Sequence, residues 1–259
     1  MAMPDRVVVV TGASRGIGRA IAEGFARLGD VLVVIGRDEA GLTETARRVE
    51  SLGGEAVVVP TDVTSPDQVA TMAEAALAVR GRIDVVVANA GIGGPSGVLW
   101  EIDPADWRET FAVNVEGVYL TLRALLPPML AAGSGAVVVV GSISGKRPLY
   151  GRSPYTASKM ALVGLVRTLA VEAGPHGIRV NLVSPGFVEG PRLDWVVRAQ
   201  SEARGVEEQQ IREEMRSLSP LRRLTQAGEV ADAVVFLASE RARAITGADL
   251  NVNSGVVMY

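Results

Sequence analysis

Seven short runs of mostly β-branched, apolar residues recur along the 259-residue chain, and helical stretches lie between them. The runs are Val7–Val10, Val31–Ile35, Ala56–Val59, Ile83–Ala88, Ala136–Val140, Ile178–Val183 and Ala248–Val252. They are apolar at odd and even positions alike, as strands buried on both faces of a parallel sheet must be. The helical stretches fall around Ile17–Leu28, Glu39–Ser51, Pro66–Arg80, Pro104–Leu130, Pro154–Ala173 and Ala227–Ala238. Alternation with crossovers of this length predicts an α/β fold: a doubly wound parallel sheet of seven strands with helices on both faces, in three αβα layers. A chain of this length buries a full core, and no linker, low-complexity tract or repeat beyond the βα unit divides it, so a single domain is expected over 1–259. One segment breaks the rhythm: residues 191–224 are long, charged and helical in pattern.

Composition narrows the function classes. A net charge of −3 with no basic stripe or tail argues against nucleic acid as a partner. Cysteine is absent, which removes disulfide and thiol chemistry and is compatible with a reducing cytoplasm. His176 is the lone histidine, and no carboxylate/histidine spacing suggests a metal site. No apolar run approaches the ~20 residues that cross a bilayer. The start, Met1-Ala2-Met3-Pro4-Asp5-Arg6, carries no apolar signal segment, and a cytoplasmic location is expected.

The first strand runs into Thr11-Gly12-Ala13-Ser14-Arg15-Gly16-Ile17-Gly18 and then a helix. Gly12 permits the tight turn, while Gly16 and Gly18 allow close approach of a pyrophosphate and of helix to sheet. The helix N-terminus offers unpaired N–H groups and a positive dipole to the anion. Strand, glycine loop and helix in the first βαβ unit together predict dinucleotide binding. The end of the second strand sets which dinucleotide. Arg37, with Arg15 and the room left by Gly36, favours the 2′-phosphate of NADP(H). Asp38 supports NAD(H), whose free ribose hydroxyl an acid would bind.

Tyr155 and Lys159 stand four residues apart, one helical turn, so phenol and ammonium project from one face. A neighbouring ammonium favours the phenolate and draws a reference pKa of about 10 toward the range of an acid/base catalyst.

With the glycine loop, Asn89-Ala90-Gly91, Asn114, Ser142 and the Tyr155/Lys159 pair in this order, the chain resembles the short-chain dehydrogenase/reductases from Thr11 to Val257. The resemblance implies a seven-stranded Rossmann sheet, a homotetramer, and hydride transfer between a nicotinamide and a small-molecule carbonyl or alcohol. It implies Tyr155 as general acid, Lys159 lowering its pKa and holding the nicotinamide ribose, and Ser142 on the substrate oxygen. Asn114 would anchor a water that links Lys159 to solvent. Asp62 and Val63 would meet the adenine, and Asn89, Ala90 and Gly91 would pass beneath the adenine ribose. Ser14, Ile17, Pro185, Gly186 and Val188 complete the expected cofactor set. Ser144 and Trp195 are the expected substrate contacts. The family usually has Asn at Ala88, threonine at Gly190, whose hydroxyl contacts the nicotinamide carboxamide, and acidic-Gly-Gly where this chain has Asn253-Ser254-Gly255.

Within that family a carbonyl reductase or alcohol dehydrogenase leads, with a 3-oxoacyl-thioester reductase and a sugar or polyol dehydrogenase beside it. A dinucleotide sensor without turnover is the reading of another class, disfavoured by intact Ser142, Tyr155 and Lys159. The segment 191–224 is expected to form a lid, with Leu193, Val196, Val197, Ile211, Met215 and Leu218 facing inward and Trp195 closing on the substrate. His176 is expected in a turn, Trp107 in packing, and Leu120–Leu126 in the core or a subunit contact. Lys146, Arg147 and Arg152 are expected on a solvated cationic loop; because that loop borders the substrate site in the family, attraction of an acidic or phosphorylated substrate is the alternative.

Overall fold

The apolar runs form strands, and the strands pair as one sheet. The computed structural model describes residues 6–259; the N-terminal residues 1–5, expected to carry no signal segment, lie outside them. The strands are β1 (Val7–Thr11), β2 (Val31–Gly36), β3 (Glu55–Pro60), β4 (Val85–Ala88), β5 (Gly135–Val140), β6 (Ile178–Pro185) and β7 (Asp249–Val252). All are parallel, in the order β3-β2-β1-β4-β5-β6-β7. Register follows burial: Val8 sits between Leu32 and Val85, and Val10 between Val34 and Val87.

Helices α1 (Gly16–Ala26), α2 (Glu39–Ser51), α3 (Pro66–Ala78), α4 (Pro104–Phe111), α5 (Gly117–Ala132), α6 (Ser153–Ala173), α7 (Pro191–Arg204), α8 (Glu208–Ser217) and α9 (Ala227–Leu237) complete the chain. Alternate strand residues feed two cores. Val7 and Val9 pack with Met72 of α3, Leu125 of α5 and Leu162 of α6. Val8 and Val10 pack with Ile21 of α1, Leu42 of α2 and Val234 of α9 on the other face. Strand order reverses between β1 and β4, so the loops after these strands part and leave a crevice at their carboxyl ends, where open α/β sheets bind ligands.

Three expectations need correction. β3 and β7 are edge strands with Val57 and Leu250 exposed, so burial on both faces holds only for the inner strands. The helix expected over 104–130 is interrupted by a π-helical turn, Ala112–Glu116, that holds Asn114. Its cause is distant: Asn114 bonds both backbone groups of Ile92, drawing that turn inward. Segment 191–224 contains two helices, α7 and α8, whose core Leu193, Val197, Ile211 and Met215 join with Phe187 and Leu224. Leu218, expected inside, follows the end of α8 and is exposed.

Three smaller expectations hold. His176 lies exposed in a single 3-10 turn, Trp107 stacks on Phe111 at 5.0 Å, and Leu120, Leu122, Leu125 and Leu126 are core residues. Among the described residues no helix is long and apolar enough to cross a membrane.

Candidate active site

The loop after β1 leaves an anion cradle. Gly12 and Gly16 have φ of +65° and +57°, conformations that favour glycine. A Cβ on Gly18 would lie 2.2 Å from the Gly12 carbonyl oxygen, so only glycine lets α1 come this close to the loop. Asn89 fixes the loop from the β4 side, donating to the carbonyls of Thr11 at 2.9 Å and Gly12 at 3.2 Å. Thr11 reciprocates through its hydroxyl, which accepts from the N–H groups of Asn89 and Ala90, each at 3.0 Å. α2, α3 and α4 begin with side-chain caps from Asp38, Ser65 and Asp103. α1 begins at Arg15 with no side-chain cap, and the space above Gly16 is open. Uncapped N–H groups facing open space fit a pyrophosphate.

At the end of β2, Arg37 is 63% exposed and only 3.9 Å from Asp62. Asp38 caps α2, its carboxylate accepting from the Gly41 N–H at 3.0 Å. The Thr64 N–H holds Asp62 below the usual carboxylate range, over an opposing burial, with the Thr64 hydroxyl and Arg37 adding to the effect. Val63 is buried beside Gly117. Gly186 packs against Asn253, and Val188 bridges Thr225, placing the loop after β6 beside the same crevice. Gly190, where α7 begins, has φ of 136° and offers no hydroxyl.

Tyr155 and Lys159 project from the first turns of α6. Lys159 is 3% exposed, and its Nζ donates to the Val140 carbonyl at 2.9 Å. It also lies 5.9 Å from the Tyr155 ring centre. Burial pushes Lys159 down and Arg192 adds to this, while Tyr155 pulls it up. Burial opposes ionisation of Tyr155, but Lys159, then Arg192, the Ser142 hydroxyl and Arg152, together hold the phenol below its ordinary value. Ser142 ends the loop after β5, and its oxygen accepts from the N–H of buried Ser144 at 3.1 Å. Asn114 is fully buried. It accepts from the Ile92 N–H at 2.8 Å and donates to the Ile92 carbonyl and the Ser158 hydroxyl, each at 3.0 Å. Ser158 in turn donates to the Tyr155 carbonyl at 2.8 Å, so Asn114 is tied to the turn that carries the phenol.

The family model described as enoyl-(acyl carrier protein) reductase matches residues 12–257. The cis-4-hydroxycyclohexanecarboxylate dehydrogenase of Sinomonas cyclohexanicum is 40% identical over 98% of this chain and 97% of its own. The chain belongs to the short-chain dehydrogenase/reductases. The 3-oxoacyl-[acyl-carrier-protein] reductase of Pseudomonas aeruginosa is 35% identical over the full length of both chains. A crystal structure of an actinorhodin polyketide ketoreductase variant with NADPH has a TM-score of 0.94 at 33% identity, covering 98% of each chain. As a short-chain dehydrogenase/reductase, the protein is an oxidoreductase acting on CH–OH groups.

The structure joins the glycine loop to Asn89, and Gly91 to Asn114, Lys159 and Tyr155, and it corrects the cationic loop of this short-chain dehydrogenase/reductase. Lys146 is not solvated: it pairs with Asp249 at 2.7 Å and donates to Asn251 at 2.7 Å. Arg152 is buried against Tyr155 and Trp195. Trp195 is 41% exposed beside Gly93. Three participants escape sequence reading: Thr11, Ser158 and Arg192, whose guanidinium donates to the Gly91 carbonyl. Ser158 has a signal, since it precedes Lys159 and follows Tyr155 by three residues. Arg192 has none, because its contact spans 101 residues.

The electrostatics are open to direct titration. The 295 nm absorbance of the protein minus that of Tyr155→Phe isolates one phenol of the four tyrosines, and it should ionise below about 10. Lys159→Met should move that midpoint up, because burial then meets less opposition. A difference titration that starts no earlier than free tyrosine, or that ignores Lys159, contradicts this picture.

Proposed function

We propose that this protein catalyses reversible, NADP(H)-dependent hydride transfer with a ketone or secondary alcohol, and that Tyr155 is its general acid and base. The observation that carries the reading is the Tyr155 phenol beside the buried ammonium of Lys159, joined through Asn89–Gly91 to the uncapped glycine cradle. Gly12, Ser14, Arg15, Gly16, Ile17 and Gly18 would hold the pyrophosphate. Asp62, Val63, Asn89, Ala90 and Gly91 would hold the adenosine, and Pro185, Gly186 and Val188 the nicotinamide side. When bound, the nicotinamide supplies or accepts the hydride.

The protein's own residues orient the substrate and move the proton. Ser142 hydrogen-bonds the substrate oxygen, and Tyr155 gives that oxygen its proton in reduction or takes it in oxidation. Lys159 stabilises the phenolate left behind and meets the nicotinamide ribose. Asn114 holds the water through which Lys159 regains a proton. Both amide hydrogens of Asn114 are engaged with Ile92 and Ser158, and its one side-chain oxygen, which accepts from the Ile92 N–H, keeps a second lone pair for that water. A 3-oxoacyl thioester is the second reading for the substrate, favoured by full-length similarity to the Pseudomonas reductase.

Arg37 and Arg15 support NADP(H) over NAD(H). Arg37 is exposed at the end of β2, and the carboxylate of Asp38 is engaged at the α2 N-terminus rather than free for a ribose hydroxyl. The segment 191–224 supports a lid: α7 and α8 share a small core of their own, separate from the two sheet-face cores. Trp195 lies on that segment against Arg152, which in turn lies against Tyr155.

Three outcomes are expected. Tyr155→Phe should bind cofactor and fold as the parent does while turnover falls by about 10²–10⁴-fold; near-parental turnover would falsify the assignment. Arg37→Ala should weaken NADP(H) by roughly 1.5–3 kcal/mol and leave NAD(H) almost unchanged. Tighter NAD(H) than NADP(H) binding by the parent, measured by fluorescence titration, refutes that preference. Trimming 198–212 between intact flanking turns should raise KM and lower kcat for whichever ketone is turned over, and unchanged kinetics would remove the lid.

A further inference from the structure

Arg152 is a buried cation without a counterion. It is 4% exposed, and among the described residues no carboxylate pairs with it. Its guanidinium lies 5.2 Å from the Tyr155 ring centre and 4.9 Å from that of Trp195. Nη2 donates to the Gly93 carbonyl at 2.7 Å, and Nη1 reaches the Pro95 carbonyl at 3.4 Å. A guanidinium has five N–H donors, so these two carbonyls leave it unsaturated. Half-buried cations are matched more fully: Arg6 has Asp30 at 2.6 Å, Lys146 has Asp249, and Arg179 donates to three carbonyls between α9 and β7; among the described residues the other buried cation is Lys159, which the mechanism uses. Burying an unpaired charge is costly, and two aromatic faces offset only part of that cost. Arg192, on the first turn of α7, adds a second cation whose charge reaches both Tyr155 and Lys159.

We propose that Arg152, assisted by Arg192, is the anion subsite of this active site, and that the substrate is an oxo acid or hydroxy acid. Its carboxylate would take the free donor edge of Arg152 while Tyr155 engages the carbonyl or hydroxyl oxygen. This rests on the oxidoreductase reading above and narrows its substrate class. A guanidinium suits the role because its rigid fork binds a carboxylate with two parallel hydrogen bonds, which fixes the distance between anion and reacting carbon. Trp195, stacked on the same guanidinium, makes closure of 191–224 sensitive to what Arg152 holds. A purely structural Arg152 would tie residues 93–95 to α6 and have no preference among substrates of similar shape.

The test uses matched pairs: 4-oxocyclohexanecarboxylate, 4-oxopentanoate and 3-oxobutanoate, each against its methyl ester, with neutral ketones as controls. Oxidation of NADPH and of NADH is followed. At least one acid should exceed its ester tenfold or more in kcat/KM. Arg152→Met should bring that ratio close to one, mainly through KM of the acid, with NADP(H) binding and the thermal midpoint retained. Arg152→Lys should restore part of the ratio, and Arg192→Gln should lower it, which keeps the test open if Arg152→Met does not fold. Esters or neutral ketones used as well as the acids by the parent would overturn the proposal. So would an acid/ester ratio that a folded, cofactor-binding Arg152→Met leaves unmoved, or, if that variant fails, one that Arg152→Lys and Arg192→Gln leave unmoved. No turnover of acids, esters and neutral ketones alike would sink the proposed ketone and secondary-alcohol chemistry, and the anion subsite with it.

Discussion

The site depends on one buried ammonium. Lys159 is almost fully enclosed, and its visible hydrogen bond within the protein is to the carbonyl of Val140, the last residue of β5. That contact registers α6 against the sheet, and α6 carries Tyr155 one turn earlier. A charge so placed lacks full solvation, and what compensates it is a partner that can become negative. The phenol is that partner, and the two titrate as one unit rather than as two residues. Everything nearby is arranged around the pair: Ser142 from the end of β5, Asn114 from the π-helical turn, Arg152 from the start of α6 and Arg192 from the start of α7.

The surrounding fold supplies rigidity where the chemistry needs it and leaves it out elsewhere. Sheet and helices interlock through two cores of fully buried side chains, so the carboxyl ends of β1, β4, β5 and β6 are fixed points. The Asn89 and Thr11 bonds carry that rigidity into the glycine loop, and the Asn114–Ser158–Tyr155 chain carries it into α6. The first helix forgoes a side-chain cap that its neighbours have. A helix end left unsatisfied beside open space is a structural cost that an anion can offset.

Much of this was legible from local chemistry. The seven strands follow from β-branched runs, and α2 falls at the expected Glu39–Ser51 because Asp38 caps it and Gly53, with φ of 91°, follows its end. The Tyr155/Lys159 pair needs only helical spacing. What the sequence hid depends on long-range contacts. The break at 112–116 is set by Ile92, which is 22 residues from Asn114 in the chain. Arg152 and Lys146 look like solvated loop cations because their partners stand far off, Gly93 by 59 residues and Asn251 by 105. Leu218 fits an amphipathic pattern, but α8 ends one residue before it and its side chain turns to water. Periodicity names which faces are apolar; it does not say which cations a folded chain will enclose.

The coupling of Lys159 to Tyr155 can be observed on the lysine itself. The chain has two lysines, Lys146 and Lys159, so ¹³Cε labelling gives two resonances to assign and follow with pH. The account expects Lys159 to lose its proton below the usual lysine value of about 10.4, because burial outweighs the pull of the phenolate. In Tyr155→Phe, where that pull is gone, its midpoint should fall further. A Lys159 midpoint at or above the ordinary value, or one that Tyr155→Phe leaves in place, would contradict the coupled pair on which the site is built.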